Sequence, residues 1–234
     1  MKIHSDLTLP AFVDTSALEW VPSPAAGVHR RMIERDGDEV ARASSLVKYE
    51  AGCCFPSHVH GAGEEFIVLE GVFSDEHGHF GPGAYVRNPI NSSHAPFTER
   101  GCIIFVKLRQ MTDETEETVR KNILKDDSWV GQSSDGTRVM RLFDNPKTGE
   151  IVWAERLTEG SSFSRPVPKG GQEIFVLEGL VAVKQLEGEE ETAYEMKQHD
   201  WLRTPASFEG RQQVFTTNTS GCTLWFKSGH LSVS

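Results

Sequence analysis

The sequence predicts an all-β protein of two tandem jelly-roll β-barrel domains, and three observations support this prediction. First, the chain repeats itself, since residues 52–71 return 108 residues later as residues 160–179, both ending in Val-Leu-Glu-Gly. Second, each half contains short runs of β-branched and aromatic residues separated by Gly, Pro, Asn and Asp, a pattern typical of strands and turns. Third, these runs show no helical periodicity, and roughly 100 residues per repeat suits a closed antiparallel barrel.

Within the first repeat, the predicted strands follow one another at short intervals. Runs rich in β-branched and aromatic residues predict strands at 44–49, 65–70, 84–87 and 102–107. Between the second and third of these, residues 70–83 predict a strand, a turn and a returning strand. The second repeat is longer here by about eight residues, around 185–191, and insertions of this kind belong in a surface hairpin loop.

The domain boundary follows from where the repeat begins. Trp20 recurs as Trp129, so each repeat starts near its tryptophan. Residues 111–122, between the repeats, are polar and charged, which predicts an exposed connection or a short helix. We therefore predict an N-terminal domain of residues 1–115 and a C-terminal domain of residues 116–234.

Charge and hydropathy limit the partners of the protein. The formal net charge of −10 disfavours direct nucleic-acid binding, because contacts with phosphates rely on Lys and Arg and the chain has no basic run. The first residues show no signal-peptide pattern, and no window approaches the roughly 18 apolar residues that span a bilayer. We therefore expect a cytoplasmic protein without membrane or direct nucleic-acid partners.

The four cysteines show neither CxxC spacing nor a dense framework, so reduced thiols are expected. Cys102 and Cys222 occupy equivalent positions of the two repeats, and we expect both to be small buried hydrophobic residues. For Cys53 and Cys54 we favour packing over a redox-sensing role.

A cluster of potential metal ligands occurs in the first repeat alone. The positions of His58, His60 and Glu64 in the first repeat hold Pro166, Pro168 and Gln172 in the second. The surrounding residues largely recur, so both repeats keep the residues of the scaffold, but only the first keeps the potential metal ligands. Residues that are replaced together are expected to have formed one site.

The spacing of these residues suits a divalent metal ion. His58 and His60 lie two residues apart, so on a strand both side chains leave the same face. Glu64 and His94 complete a set of three imidazoles and one carboxylate. This set suits Zn²⁺, Fe²⁺, Mn²⁺, Ni²⁺ or Co²⁺.

Neighbouring polar residues are assigned structural roles instead. We prefer Glu64 over Glu65 as the ligand, because Glu65 recurs as Glu173 in the half that has no metal ligands, whereas Glu64 becomes Gln172. His77 and His79 flank a glycine in a predicted turn, and we expect them to be exposed there. Turn geometry and barrel-closing polar contacts are the expected roles of the recurring residues Glu70, Gly71, Arg87, Pro89 and Lys107.

These residues also carry a resemblance to a known family. The first repeat resembles the two cupin motifs, in the order Gly52, five residues, His58-x-His60, three residues, Glu64, six residues, Gly71, then Gly83, five residues, Pro89-x-Asn91-x-x-His94. Asn91 stands where the motif usually has Gly. More narrowly, residues 27–110 resemble the cupin domain of ChrR-type anti-sigma factors, through segments 55–60, 63–66, 69–76, 85–89 and 105–109.

The resemblance implies a bicupin with one metal centre. It implies that His58, His60, Glu64 and His94 are the metal ligands and that the ion is zinc. The chemistry of the ligand set leaves iron, manganese or nickel as alternatives. ChrR-type anti-sigma factors also carry an N-terminal helical zinc domain with a His-xxx-Cys-xx-Cys signature, which binds the sigma factor. This sequence lacks that signature, so we do not expect direct anti-sigma activity.

Two classes of function remain open at this point. The resemblance favours a sensor or regulatory module that binds a small-molecule ligand and acts on a protein partner, with a homodimer as a further possibility. The chemistry of the ligand set favours a metal-dependent enzyme, such as a cupin dioxygenase that cleaves diketones. A purely structural zinc ion is the third alternative, since four protein ligands would close the site. Fold analogy does not decide between these classes.

Overall fold

The computed structural model describes residues 1–125, 129–130, 137–187, 190–218 and 220–231. Strands dominate these residues, so the predicted all-β class is confirmed. The contacts divide the chain into two compact units. Unit 1 comprises Met1–Ser5 and Leu18–Asp126, and unit 2 comprises Asp6–Ala17 and Asp127–Ser234. Among the described residues, no helix is long and apolar enough to cross a membrane.

The strands are short, as the sequence pattern predicts. In the first 125 residues they are β1 (Lys2–Ile3), β2 (Ala11–Val13), β3 (Val21–Pro22), β4 (Val28–Gly37), β5 (Ala41–Tyr49), β6 (His58–Val59), β7 (Glu64–Gly71), β8 (Phe73–Asp75), β9 (Gly78–Phe80), β10 (Ala84–Asn88), β11 (Ser93–His94), β12 (Cys102–Leu108) and β13 (Val119–Asn122). The remainder holds β14 (Arg138–Asn145), β15 (Glu150–Leu157), β16 (Ser162–Pro166), β17 (Gln172–Glu178), β18 (Leu180–Glu187), β19 (Glu190–Lys197), β20 (Trp201–Thr204), β21 (Gln212–Thr216) and β22 (Cys222–Ser228). Single turns of 3₁₀ helix occur at Thr15–Ala17 and Ala206–Phe208.

Unit 1 is built on one large antiparallel sheet. Its strand order is β1-β4-β5-β12-β7-β10-β13, with β3 beside β4, and smaller ladders join β6 to β11 and β8 to β9. Apolar residues of the central strands turn one face inward, because side chains alternate along a strand. They form a buried core that includes Phe66, Val68, Val86, Ile104 and Val106.

Unit 2 is also built of antiparallel strands, and these form two sheets. One has the order β14-β15-β22-β17-β20-β2, and the other has the order β16-β21-β18-β19. Ile174, Val176, Leu224 and Phe226 occupy its buried core. The two units thus confirm the prediction of tandem barrels.

The leading strands are exchanged between the repeats. Strand β2 precedes the first repeat but pairs with β20, and β13 precedes the second repeat but pairs with β10. The registers are equivalent, since Ala11 lies opposite Arg203 and Val119 lies opposite Arg87. This exchange is why residues 6–17 fall in unit 2 and why unit 1 extends to residue 126. The compact units therefore differ from the predicted ranges 1–115 and 116–234.

Two local predictions differ from the structure. Residues 111–118 form a connection that is largely exposed, one of the two alternatives predicted, but residues 119–122 pair as β13 along β10 instead of continuing it. Their polar composition fits an edge strand as well as it fits a loop. The insertion near 185–191 extends the paired strands β18 and β19, and residues 188–189 lie outside the described residues.

Residues that recur in both repeats serve the scaffold. Gly71 has φ of 70°, and a Cβ atom there would lie 2.1 Å from the carbonyl oxygen of Gly101, so only glycine fits. Arg87 is fully buried, and its guanidinium donates to Glu65 and, at 2.8 and 3.0 Å, to Glu116. These contacts hold β7, β10 and the segment before β13 together, as expected of barrel-closing polar residues.

Candidate metal centre

Two of the predicted ligands face each other on a short ladder. Strands β6 and β11 pair antiparallel, and His58 lies directly opposite His94. Directly opposite residues of an antiparallel pair have their Cβ atoms about 4.5–5.5 Å apart. The ladder therefore brings together side chains that are 36 residues apart in sequence.

The third histidine follows on the same ladder. The backbone N–H of His60 donates to Ser92 at 2.9 Å, and its carbonyl accepts from Asn91 at 2.9 Å. Asn91 has φ of 66°, in the left-handed region that Gly and Asn adopt most readily. Asparagine therefore supports the turn at the motif position where Gly is usual.

The three imidazoles converge on one point. One nitrogen from each of His58, His60 and His94 lies within 4.8 Å of the other two, and this group could hold a metal ion. The Nε2 atoms of His60 and His94 are buried and have no hydrogen-bond partner among the described residues. Buried polar atoms rarely lack a partner, so these two nitrogens fit the role of ligands to a cation.

Burial keeps the second histidine in the form that binds metal. His60 is 7% exposed. Burial lowers the pKa of His60 to about 4, and the nearby His58 acts in the same direction. The imidazole is therefore neutral near pH 7, and a neutral imidazole is the state that coordinates an ion.

Glu64 lies beside the histidines at the start of β7. Its Oε2 is 3.5 Å from Nε2 of His60 and 3.5 Å from Nε2 of His94. Asn88 donates a hydrogen bond of 3.0 Å to the same oxygen. Burial raises the pKa of Glu64, while His94 and the Asn88 hydrogen bond oppose that rise. A divalent cation at this position would favour the ionised carboxylate.

The neighbouring Glu65 points elsewhere. Successive residues of a strand face opposite sides, and Glu65 pairs with the buried Arg87. This geometry supports Glu64 as the fourth ligand, an assignment that stays a prediction.

Two further contacts orient the imidazoles. Nδ1 of His94 lies 3.1 Å from Oδ2 of Asp75, and Nδ1 of His58 lies 3.2 Å from the carbonyl oxygen of Pro56. Carboxylate and carbonyl oxygens accept hydrogen bonds, so in both rings Nδ1 carries the proton and Nε2 is left free. Such outer contacts are typical of metal-ligating histidines.

Sequence reasoning missed Asp75 and Asn88. Both change in the second repeat, where the equivalent positions hold Val183 and Thr204. The rule that residues replaced together form one site would have found both of them, had it been extended beyond histidine and glutamate.

A cavity of about 380 Å³ opens beside the three histidines. This volume is near the lower end of the range of about 300–1,000 Å³ that is typical of small-molecule sites. All four predicted ligands line it. The rest of its wall is largely apolar and includes Tyr49, Phe55, Val59, Phe73 and Leu108.

The equivalent interior of unit 2 is built differently. Arg165 occupies the position that Ser57, the residue before His58, has in the first repeat. Its guanidinium lies 4.7 Å from the ring of Phe215 and 4.4 Å from that of Phe226. It also pairs with Glu155. A cation stacked on aromatic rings occupies the part of this barrel where unit 1 gathers imidazoles.

The remaining sequence predictions have mixed outcomes. Cys102 and Cys222 are buried, as expected, and all four cysteines are free. Cys54 is exposed, so the prediction that it packs is wrong: it forms a backbone bridge to Phe97 that leaves its side chain outside the core. His77 and His79 are exposed on the β8–β9 hairpin, as predicted.

Comparison with known proteins agrees with this architecture. A family model described as ChrR Cupin-like domain matches residues 9–112 and again residues 122–232. No curated protein sequence matches the chain significantly.

Solved structures share the fold at low sequence identity. A Nostoc punctiforme protein described as a candidate dioxygenase is 15% identical, with a TM-score of 0.67 over 97% of this chain and 85% of that chain. The 11S allergen of Cocos nucifera is 9% identical, with a TM-score of 0.71 over 95% and 90%. A Pseudomonas aeruginosa protein described as glyoxylate-induced is 13% identical, with a TM-score of 0.72 over 96% and 89%. At these identities the similarity establishes the fold alone, and that fold is the predicted bicupin.

Proposed function

The chain belongs to the family of ChrR Cupin-like domains, and from this premise we propose that its N-terminal barrel is a metal-dependent small-molecule-binding module of the sensor or regulatory class. His58, His60, Glu64 and His94 hold one divalent ion. Zinc is the proposed ion, following the resemblance to the ChrR type.

One observation carries this proposal. Two buried imidazole nitrogens, Nε2 of His60 and of His94, have no hydrogen-bond partner among the described residues and belong to a group within 4.8 Å that lines a cavity. A structural ion would be served by a closed site, whereas this donor set borders a space that a small molecule can enter. The position of the site thus favours ligand binding over a purely structural role.

The residues around the ion have separate roles in this proposal. Asp75 and the Pro56 carbonyl hold two imidazoles in position, and Asn88 holds the Glu64 carboxylate. The ion would act as a Lewis acid toward an oxygen of the ligand. The apolar wall would exclude water and strengthen that interaction.

A sensor must pass its state to another molecule. We propose a protein partner or a second copy of this chain for that role, in the cytoplasm, without direct contact to nucleic acid or membrane.

A metal-dependent enzyme is the second candidate. The open cavity beside the donor set favours it, since catalytic sites keep a position for substrate. The description of the Nostoc neighbour as a candidate dioxygenase is consistent with it. In that case iron, manganese or nickel would replace zinc, and a diketone would be a suitable first substrate.

The first experiment is the metal content of protein purified without added metal, measured by elemental mass spectrometry. The variants are His58→Ala and, as a matched control, His77→Ala, which removes an exposed histidine of the same unit. About one zinc per chain in the wild type and the control, lost in His58→Ala, supports the proposal. Iron, manganese or nickel would favour the enzyme, and no metal in the wild type would overturn both.

A further inference from the structure

A positively charged side chain stands at the wall of the metal cavity with no assigned role. Arg109 follows β12 directly, lines the cavity and is exposed. A Cβ atom on Gly61 would lie 3.3 Å from its Nη1, so the guanidinium lies against the segment that carries His60. The guanidinium of Arg109 has no hydrogen-bond or ion-pair partner within the part of the chain that the structure describes.

The backbone of Arg109 is in an unusual conformation. Its φ is 59°, in the left-handed region that is unfavourable for residues with a Cβ atom. The equivalent residue in unit 2, two positions after Lys227 as Arg109 is after Lys107, is Gly229, with φ of 80°. The repeat without metal ligands therefore has the residue that this turn prefers. The repeat with ligands keeps an arginine despite the strain, and strain of this kind is typical of functional positions.

From these observations we infer that the cavity binds a small organic acid, with the ligand's carboxylate on Arg109 and a second oxygen directed to the metal centre. The inference rests on the proposed function, because it specifies which ligand the metal-bearing cavity takes.

The charges around the cavity favour a carboxylate over a phosphate. The guanidinium is always positive, and its planar fork matches a carboxylate. Glu39 lines the same cavity and is paired with Arg30 at 3.2 Å. Arg109 is the one arginine or lysine among the described residues that line the cavity, so it balances a single negative charge on the ligand and leaves a second one unbalanced.

The shape of the wall sets the rest of the ligand. Tyr49, Phe55, Phe73 and Leu108 line the interior, so the body between the two polar ends of the ligand is short and apolar. A volume of about 380 Å³ limits it to a small molecule.

The test compares two probes of nearly equal size by isothermal titration calorimetry of the full, zinc-loaded chain. Acetoacetate carries a carboxylate, and 2,4-pentanedione replaces that group with an uncharged acetyl group. The variants are Arg109→Asn, because asparagine tolerates the left-handed conformation, and Arg100→Asn, an exposed arginine outside this cavity.

We expect wild type and Arg100→Asn to bind acetoacetate more tightly than 2,4-pentanedione. Arg109→Asn should weaken acetoacetate binding at least about tenfold and change diketone binding by less than about twofold, because a charge-assisted hydrogen bond is lost.

Equal affinities in wild type, or a preference for the acid that survives in Arg109→Asn, would overturn the inference and leave the proposed function intact. A zinc-loaded wild type that binds neither probe would contradict the proposed function, and the inference with it. Urea unfolding of each variant checks that any loss of binding is not a loss of fold.

Discussion

Asp75 Oδ2 lies 3.1 Å from Nδ1 of His94, the histidine that pairs directly opposite His58. This contact joins the β8–β9 hairpin to the metal centre. It fixes the His94 ring with Nε2 toward the other donors, so Asp75 should tune the affinity for metal without touching the ion.

We therefore expect Asp75→Asn to weaken metal binding by about 10–100-fold, as is typical for such outer partners. Asparagine keeps an oxygen to accept from the His77 backbone N–H, at 2.7 Å in the wild type, but offers an amide NH₂ toward His94. Competition with a fluorescent chelator measures the affinity. Asp38→Asn, at a side chain that is 96% exposed, is the control. Equal affinities in both variants would mean that Asp75 does not orient the ligand.

Substitutions of the adjacent residues Glu64 and Glu65 should have different effects, one on metal affinity and the other on the stability of the fold. Glu64→Gln should lower metal affinity with little change in unfolding, because Gln can still accept from Asn88. Glu65→Gln should retain the metal but lower the free energy of unfolding by about 1–3 kcal/mol, since it weakens a charge-assisted hydrogen bond of the buried Arg87, which keeps its contacts with Glu116. Metal analysis and urea titration of both variants test this. The assignment of Glu64 fails if Glu65→Gln is the variant that loses metal.

The thiols should react with iodoacetamide in a fixed order. Burial raises the pKa of Cys102 to about 11 and that of Cys222 to about 12. At pH 8 a thiol with a pKa of about 11 is ionised in about one molecule in a thousand, so both should be protected. Burial also raises the pKa of Cys53, and the exposed Cys54 should react first. Peptide mass spectrometry of native protein measures the rates, with urea-unfolded protein as the control. Fast labelling of Cys102 in native protein would contradict its burial.

Removal of residues 1–17 should damage unit 2. The deletion takes away β2 and the carbonyl oxygens of Asp6 and Leu9, which accept from the buried Arg203 at 2.8 and 3.2 Å. We expect about 3 kcal/mol less stability in unit 2, from lost burial of two apolar side chains. Hydrogen exchange should rise along β20, while metal affinity stays within about threefold. Deletion of residues 1–5 alone, which removes β1 and keeps β2, is the matched control.

The strain at Arg109 predicts that a substitution increases stability. Arg109→Gly should raise the free energy of unfolding by about 1 kcal/mol, because glycine adopts the left-handed conformation without a steric cost. Arg120→Gly, on a strand where φ is not positive, should lower it by about 0.5–1 kcal/mol. Urea unfolding of the two variants shows whether position 109 is strained. A loss of stability in Arg109→Gly would show that the arginine contributes more to folding than its backbone costs.

The sequence predicted the parts of this protein that depend on local pattern. The strands at 44–49 and 102–107 were found within β5 and β12 because short runs that contain β-branched and aromatic residues, bounded by turn residues, identify them directly. The three histidines were found because the second repeat serves as an internal comparison. The pairing of β2 with β20 was not predicted, since three residues of ordinary composition do not specify a partner far along the chain.

The polar network around the site was missed for a related reason. Asp75 and Asn88 act through other residues, and a polar residue on a strand is usually exposed on its solvent-facing side. Their inward orientation depends on which face of the hairpin and of β10 meets the ladder of His58 and His94. That is a property of the assembled barrel.

The exchange of leading strands has a consequence for the protein as it is synthesised. Ala11 and its partner Arg203 are 192 residues apart. At about 5–20 residues per second, β2 emerges from the ribosome about 10–40 s before β20 exists. During that time it is an unpaired edge, which can recruit other chains. Strand β2 is only three residues long and follows Pro10, and both features reduce the tendency of an unpaired edge to pair with other chains. The segment can therefore stay unpaired until β20 is synthesised with little risk of aggregation.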